Sequence, residues 1–181
     1  MPLRKADVLQ GAMELLNDVG LDGLTARRLA NKLGVQVGAL YWHYSSKSAL
    51  LDGVAEQIIN EMLVEPSGEG DWADRLQEMA IRGRQSMLAH RDGARLVASF
   101  TAPPPSAVSY MRLLINVLRS AGASEEDAAI GADAITSFIN GYTLEEQARK
   151  LDNVPVAQRD AAFRAELNII ISGIRVELLE Q

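Results

Sequence analysis

Arg27, Gln36, Val37, Ala39, Tyr41, Trp42, His43 and Lys47 fall within one short stretch, and their side chains suit the base edges and phosphates of double-stranded DNA. Arg can bond guanine O6 and N7 with two parallel hydrogen bonds, Gln can pair with adenine, and small apolar groups such as Val37 and Ala39 can rest on a thymine methyl. Thr25, Tyr41, His43 and Lys47 carry hydroxyl, imidazole and ammonium groups of the kind that meet phosphate oxygens. Between Asp22 and Asp52 there is no acidic residue, whereas Arg27, Arg28, Lys32 and Lys47 give that window a charge of +4. The 181-residue chain carries a net charge of −6, which leaves −10 for everything outside the window. A net negative charge argues against nucleic-acid binding, because contact with phosphates needs clustered Lys and Arg. The distribution reverses that conclusion and describes a small basic head on an acidic body. On charge alone chance clustering explains it as well; the pattern inside the window decides.

The elements that must position these residues are helical. A first helix reads from about Arg4 to Val19, with Val8, Ala12, Leu15, Leu16 and Val19 at spacings of three and four, and Gly20 stands where a left-handed stop belongs. Thr25 is suited to cap a short second helix, Ala26 to Leu33, which ends at Gly34. After the turn Gly34-Val35-Gln36 a third helix runs to about Tyr44, and Ser45-Ser46 break it and cap a fourth from Lys47 to about Leu63. Two short helices around a glycine-containing turn make a helix-turn-helix, whose second helix enters the major groove while the first crosses the backbone. Leu29, Ala30, Leu33, Val35 and Leu40 have the spacing to pack that pair together. Tyr41, Trp42 and especially Tyr44 have a competing explanation as core aromatics, and Arg28 and Lys32 as solvated charges.

Pro66-Ser67-Gly68-Glu69-Gly70 combines a helix breaker with two glycines and no apolar residue, which marks it as a boundary. The expected organisation is a DNA-binding unit over residues 1–46, a connecting helix over 47–64 and a second unit over 71–181. The second unit reads as helices over 71–90, a short piece near 94–99, then 106–121, 124–150 and 156–179, punctuated by Pro103-Pro104-Pro105 and Gly122. No run shows the strict alternation of a half-buried strand, so the fold class is all-α.

On the residues Leu24-Thr25-Ala26-Arg27-Arg28-Leu29-Ala30, Leu33-Gly34-Val35, Ala39-Leu40-Tyr41-Trp42-His43-Tyr44 and Lys47-Ser48-Ala49-Leu50-Leu51 the chain resembles the tetracycline-repressor family. His90-Arg91-Asp92-Gly93-Ala94 and Tyr142-Thr143-Leu144-Glu145-Glu146-Gln147 extend the resemblance into the second unit. It implies a dimeric repressor that reads a palindromic operator, with DNA contacts at Thr25, Arg27, Tyr41, Trp42, His43 and Lys47. Gln36, Val37, Gly38 and Ala39 stand at the start of the reading helix and depart from the tetracycline repressors, so the resemblance does not carry their operator sequence over to this chain. The resemblance further implies that a small effector binds in the second unit and releases the DNA. Met79, Met87, Val97, Phe100, Met111, Ile115, Ile135, Phe138, Ile139 and Tyr142 lie in the segments that match the pocket helices, and each taken singly is explained more readily as plain core.

Leu63, Met79 and Val97 stand at positions where tetracycline repressors carry polar and metal-coordinating side chains. None offers the oxygen that Mg²⁺ prefers. Glu145 alone survives there. The expected effector is therefore small, largely apolar and metal-free, and no cofactor is expected. The resemblance also implies a homodimer formed through the helices at about 124–150 and 156–179; the apolar residues Ile169, Ile170, Ile171, Ile174 and Val176 of the latter serve an intramolecular core as readily.

The remaining composition excludes other classes. Zero cysteines remove disulfides, thiolate zinc sites and cysteine nucleophiles, and His43 and His90 are too few for a histidine-rich metal site. No run is long and apolar enough to span a membrane and Met1 to Asp7 has no signal-peptide core, so a cytoplasmic protein is expected. His90-Arg91-Asp92 looks like a kinase triplet but lacks the accompanying glycine-rich loop and strand-borne lysine, and reads better as a helix-end turn. An enzyme is remote because no nucleophile, base and orienter come together. A DNA-binding protein whose body only dimerises, without an effector, is the nearer alternative.

Overall fold

The computed structural model describes residues 3–67, 70–100, 102–151 and 153–179. Gly68 and Glu69 of the expected linker, and Met1 at the start of the chain, lie outside the described residues. Nine α-helices and no strand occur among the described residues, so the fold is all-α.

Helix α1 spans Lys5–Gly23 and buries Val8, Ala12, Leu15 and Leu16. Gly20 interrupts it at φ 75° and sets the last turn, Leu21 to Gly23, at an angle to the rest. Helix α2 spans Ala26–Leu33, as its end signals require. The Thr25 hydroxyl accepts from the Arg28 amide at 3.3 Å, and Gly34 closes the helix in the left-handed region at φ 65°. Helix α3, Val37–Tyr41, is shorter than its sequence suggested. The chain leaves the helix at Trp42, and the Tyr44 ring turns inward against Gly53, where even a Cβ would lie 3.0 Å from it.

Helix α4, Lys47–Asn60, starts on the Ser46 hydroxyl, which accepts from the Ala49 amide at 3.0 Å. It ends before Leu63 because the next turn tightens, with the Met62 amide on the Ile59 carbonyl, and brings Met62 into the core. The body consists of α5 (Trp72–Leu88), α6 (Gly93–Val97), α7 (Pro105–Ser120), α8 (Glu125–Arg149) and α9 (Val156–Ile174), which runs into a π-helical turn, Arg175–Leu179. Asp71 and Ser124 cap α5 and α8, and Pro105 opens α7 at the position where a missing amide costs nothing.

Helix α4 joins head and body. It packs on α1 on one side and on α5, α6 and α7 on the other, and one apolar core runs continuously from Val8 through Val54 and Ile58 to Leu114 and Phe163. A polar seam lies beside it, built on the turn between α5 and α6. Asp92, held at φ 57°, accepts from the Leu21 amide at 2.8 Å, and the Arg91 guanidinium donates to the Asp18 carbonyl at 3.0 Å. Arg95 pairs with Asp22 at 2.8 Å, and His90 Nε2 lies 3.1 Å from a Glu61 oxygen. Gln147 of α8 holds the turn from behind, donating to the His90 carbonyl at 2.9 Å and accepting from the Ala94 amide at 2.9 Å.

Candidate nucleic-acid interface and ligand cavity

In the head, burial separates packing residues from the candidate DNA contacts. Leu29, Ala30 and Leu40 are buried, and Leu33 and Val35 pack partly against the core. Thr25, Arg27, Gln36, Tyr41 and Lys47 are exposed, Val37 is 36% exposed, and Ala39 and His43 are half-buried. Trp42 is 90% exposed, an uncommon position for an indole unless something covers it. Tyr44 by contrast is core, its phenol shifted up by burial and then by Glu56, with the Lys5 ammonium 5.1 Å from its ring centre.

The four cations of the basic window divide in two. Lys32 bridges Glu14 at 3.2 Å and Asp18 at 3.3 Å, and its pKa is raised by those bonds, while Arg28 donates to the Gly23 carbonyl at 3.3 Å. The side chains of Arg27 and Lys47 make no ion pair or hydrogen bond among the described residues, and neither does that of Gln36. These two cations flank α3, on its two sides in sequence, and Lys47 acts within the chain only at longer range, helping after Arg95 to hold the Asp22 carboxyl below its usual value. A phosphate-tracking surface requires such free cations, since each ion pair within the protein would have to be broken before DNA could be met.

In the body, a cavity of about 440 Å³ opens between α4, α6, α7 and α8. Of the residues expected to line a pocket, Val97, Phe100, Met111, Ile115 and Ile139 do so. Met79, Met87 and Ile135 are fully buried in the core, and Leu63 packs partly against it without reaching the cavity wall. Phe138 and Tyr142 instead stack toward α9, with ring centres 5.4 Å and 5.1 Å from Phe163. Sequence reasoning missed Ile59, Met62, Pro103, Ala107, Val108, Tyr110, Arg112, Thr136 and Asn140, which complete the lining. A signal was present: Val108, Met111, Arg112 and Ile115 follow the i, i+3, i+4, i+7 spacing of one helix face, and Thr136, Ile139 and Asn140 share another. Burial pushes the Tyr110 phenol up, and its hydroxyl donates to the Met79 carbonyl at 3.1 Å.

A second, larger groove of about 840 Å³ lies between the end of α1, α5, α8 and α9, and its charges are largely spent on one another. Arg84, 2% exposed, makes a two-pronged bond to Glu146 at 2.7 and 2.8 Å and a third to Asp160 at 2.7 Å. Burial alone would lower the Arg84 pKa; the bonds to Glu146 and Asp160 outweigh it and raise it. Arg159 adds a bond to Glu146 at 3.1 Å. Glu145, the neighbour of Glu146, is exposed and tied to Arg149. Among the described residues no three His, Asp or Glu side chains gather where they could hold a metal ion.

Comparison with known proteins agrees with both halves. Residues 8–54 match the family described as bacterial regulatory proteins, tetR family, and residues 65–158 match the tetracyclin repressor-like C-terminal domain. The tetracycline repressor protein class C of Escherichia coli is 43% identical over 83% of this chain and 69% of its own length. A TetR variant from Acinetobacter baumannii AYE in complex with minocycline shares 38% identity and superposes with a TM-score of 0.84 over 96% of this chain and 97% of its own. BioQ bound to its double-stranded DNA operator shares 31% identity, with a TM-score of 0.84 over 97% and 99% of the two chains.

Proposed function

Because the chain belongs to the tetracycline-repressor family, whose curated relatives are DNA-binding regulators, we propose that it is a dimeric repressor that holds a palindromic operator until a small, largely apolar effector releases it. The observation that carries this reading is the surface around α3, where the side chains of Arg27, Gln36 and Lys47 make no hydrogen bond or ion pair among the described residues and Trp42 stands 90% exposed. Gln36, Val37 and Ala39 supply base contacts in the major groove, Arg27 a contact from α2, and Thr25, Tyr41, His43 and Lys47 hold phosphates.

Two-fold symmetry supplies the palindrome. On α8 the exposed residues Ile130, Ala134, Ser137, Gly141, Leu144 and Ala148 repeat at alternating spacings of four and three. On α9 and the turn after it Ala162, Ala165, Ile169, Ser172 and Val176 do the same, with Ile169 70% and Val176 58% exposed. Such seams suit the same two helices of a second copy, packed as a four-helix bundle that sets the reading helices about 34–36 Å apart or a multiple of it. The division into residues 1–46, 47–64 and 71–181 belongs to the same proposal, as does a cytoplasmic location. No helix among the described residues is long and apolar enough to cross a membrane.

The effector reading departs from tetracycline. Leu63, Met79 and Val97 hold no oxygen donor, and Glu145 is bound to Arg149, so these residues do not fit a magnesium chelate. Isothermal titration tests this directly: tight binding of tetracycline only in the presence of magnesium would reverse it. The operator reading is tested by selecting bound sequences from a random DNA pool. A two-fold palindrome is expected, together with loss of binding in Arg27→Ala and Tyr41→Ala and a steep fall with salt. Selection without a two-fold site, or variants that bind as before, would reject it.

A further inference from the structure

We propose that the cavity between α4, α6, α7 and α8 selects an organic monoanion, an apolar body carrying a single carboxylate that is held at the mouth by Arg112 and Asn140. This rests on the effector reading above and goes beyond it by assigning the ligand a charge. The walls are apolar, from Ile59 and Met62 through Val97 to Ile139. Of the polar side chains in the lining, two are already satisfied: the Thr136 hydroxyl donates to the Ala132 carbonyl at 2.8 Å, and the Tyr110 hydroxyl to the Met79 carbonyl at 3.1 Å.

Arg112 and Asn140 remain. Neither side chain makes a hydrogen bond or ion pair among the described residues; Arg112 is exposed and Asn140 half-buried. Among the described residues no Asp or Glu lines the cavity, and the one formal charge in that lining is the guanidinium. In a chain whose net charge is −6, an uncompensated Arg at the rim of an apolar chamber favours an anion and disfavours a cation. The guanidinium fork matches a carboxylate with two parallel bonds, and the Asn140 amide supplies a donor or an acceptor beside it. A hydrocarbon body then fills the chamber and gives most of the affinity, while the charged end selects.

The test uses the purified full-length protein and three probes that share one ring system: 9-anthracenecarboxylic acid, 9-anthracenemethanol and 9-(aminomethyl)anthracene, followed by fluorescence titration. The acid is expected to bind about 10-fold more tightly than the alcohol, and the amine most weakly. Arg112→Gln, at an exposed position where folding is unaffected, brings the acid to about the affinity of the alcohol and leaves the alcohol unchanged. Ala107→Trp fills the chamber and abolishes binding of all three. If the alcohol matches the acid, or Arg112→Gln leaves the acid unaffected, the anion proposal falls and the apolar effector site stands. If the acid still binds to Ala107→Trp, it sits elsewhere and the anion proposal again falls. Should none of the three bind, both readings fail together.

Discussion

The head and the body treat their polar side chains in opposite ways. Around α3 the side chains of Arg27, Gln36 and Lys47 make no hydrogen bond or ion pair among the described residues, and Trp42 stands almost wholly in solvent. In the body, the polar groups between α5, α8 and α9 are locked to one another, with Arg84 and Glu146 each at 3% side-chain exposure. A surface meant for a large charged partner must keep its charges free, because burying an ion pair within the chain would remove them from use. The buried interior of the body cannot leave charges unpaired, because each would cost several kcal/mol; Arg112, without a partner, stands at the exposed rim of the cavity. Substitutions in the two regions should therefore read out differently: as binding in the head and as stability in the body.

The largest effect is expected at Arg84. Arg84→Ala leaves Glu146 buried with only Arg159 to compensate it, a loss of about 3–5 kcal/mol. Thermal or denaturant unfolding measures this. The double variant Arg84→Met with Glu146→Leu should recover most of the stability, since an apolar pair of similar volume removes both charges together. If the single variant melts like the parent, the body's polar groups are no more structural than those of the head and the contrast collapses.

The seam between the regions comes next. A Cβ on Gly20 would lie 2.7 Å from an Asp92 oxygen and 2.9 Å from Arg91 Nε, at a φ of 75° that other residues avoid. Gly20→Ala should cost about 2 kcal/mol through strain alone. It should also release the contact that the Leu21 amide makes with Asp92, so hydrogen exchange at Leu21 should quicken first. Protection at Leu21 equal to the parent's would show that the seam is not fixed by this turn.

Head substitutions should spare stability. Arg27→Ala is expected to weaken operator binding by about 1–3 kcal/mol and relax the sequence preference at one position. Its melting temperature should not move, since the Arg27 side chain makes no hydrogen bond or ion pair among the described residues. Lys47→Ala should weaken binding to all sequences alike and reduce the slope of log affinity against log salt by about one. Gel shift or fluorescence anisotropy at several salt concentrations separates the two. A melting temperature lowered by Arg27→Ala would mean that the head, too, spends its charges on folding.

The two regions were also unequally legible in the sequence, for the same physical reason. Helix α2 could be bounded to the residue because Thr25 and Gly34 carry local signals that need no tertiary partner. The exposure of the candidate DNA contacts followed, since helical spacing within a short contiguous motif decides which residues face outward. The early end of α3 was not legible, because it depends on Tyr44 meeting Gly53 from another helix. The cavity is assembled from four elements spread between Ile59 and Asn140. Apolarity marked Val97, Phe100, Met111, Ile115 and Ile139 as candidates but could not separate them from Met79, Met87 and Ile135, which have the same chemistry and sit in the core. Arg112 and Asn140 escaped notice because a polar residue on an amphipathic helix reads as solvent-facing until the neighbouring helix is in place.

The smallest effect probes the head alone and sharpens what its freedom is for. Gly38 lies in α3, where an added Cβ would meet nothing within 4 Å. Gly38→Ala should therefore stabilise the short reading helix by about 0.5–1 kcal/mol, through the backbone entropy that glycine loses on folding. Amide exchange of Ala39, Leu40 and Tyr41 reports this directly. DNA affinity then decides the role of the glycine. Tighter binding in step with the added helix stability means that the helix orders as it meets DNA and that Gly38 only taxes it. Weaker binding in a more stable helix means that the backbone approaches the groove closely at Gly38, and that the missing Cβ is itself part of the reading surface.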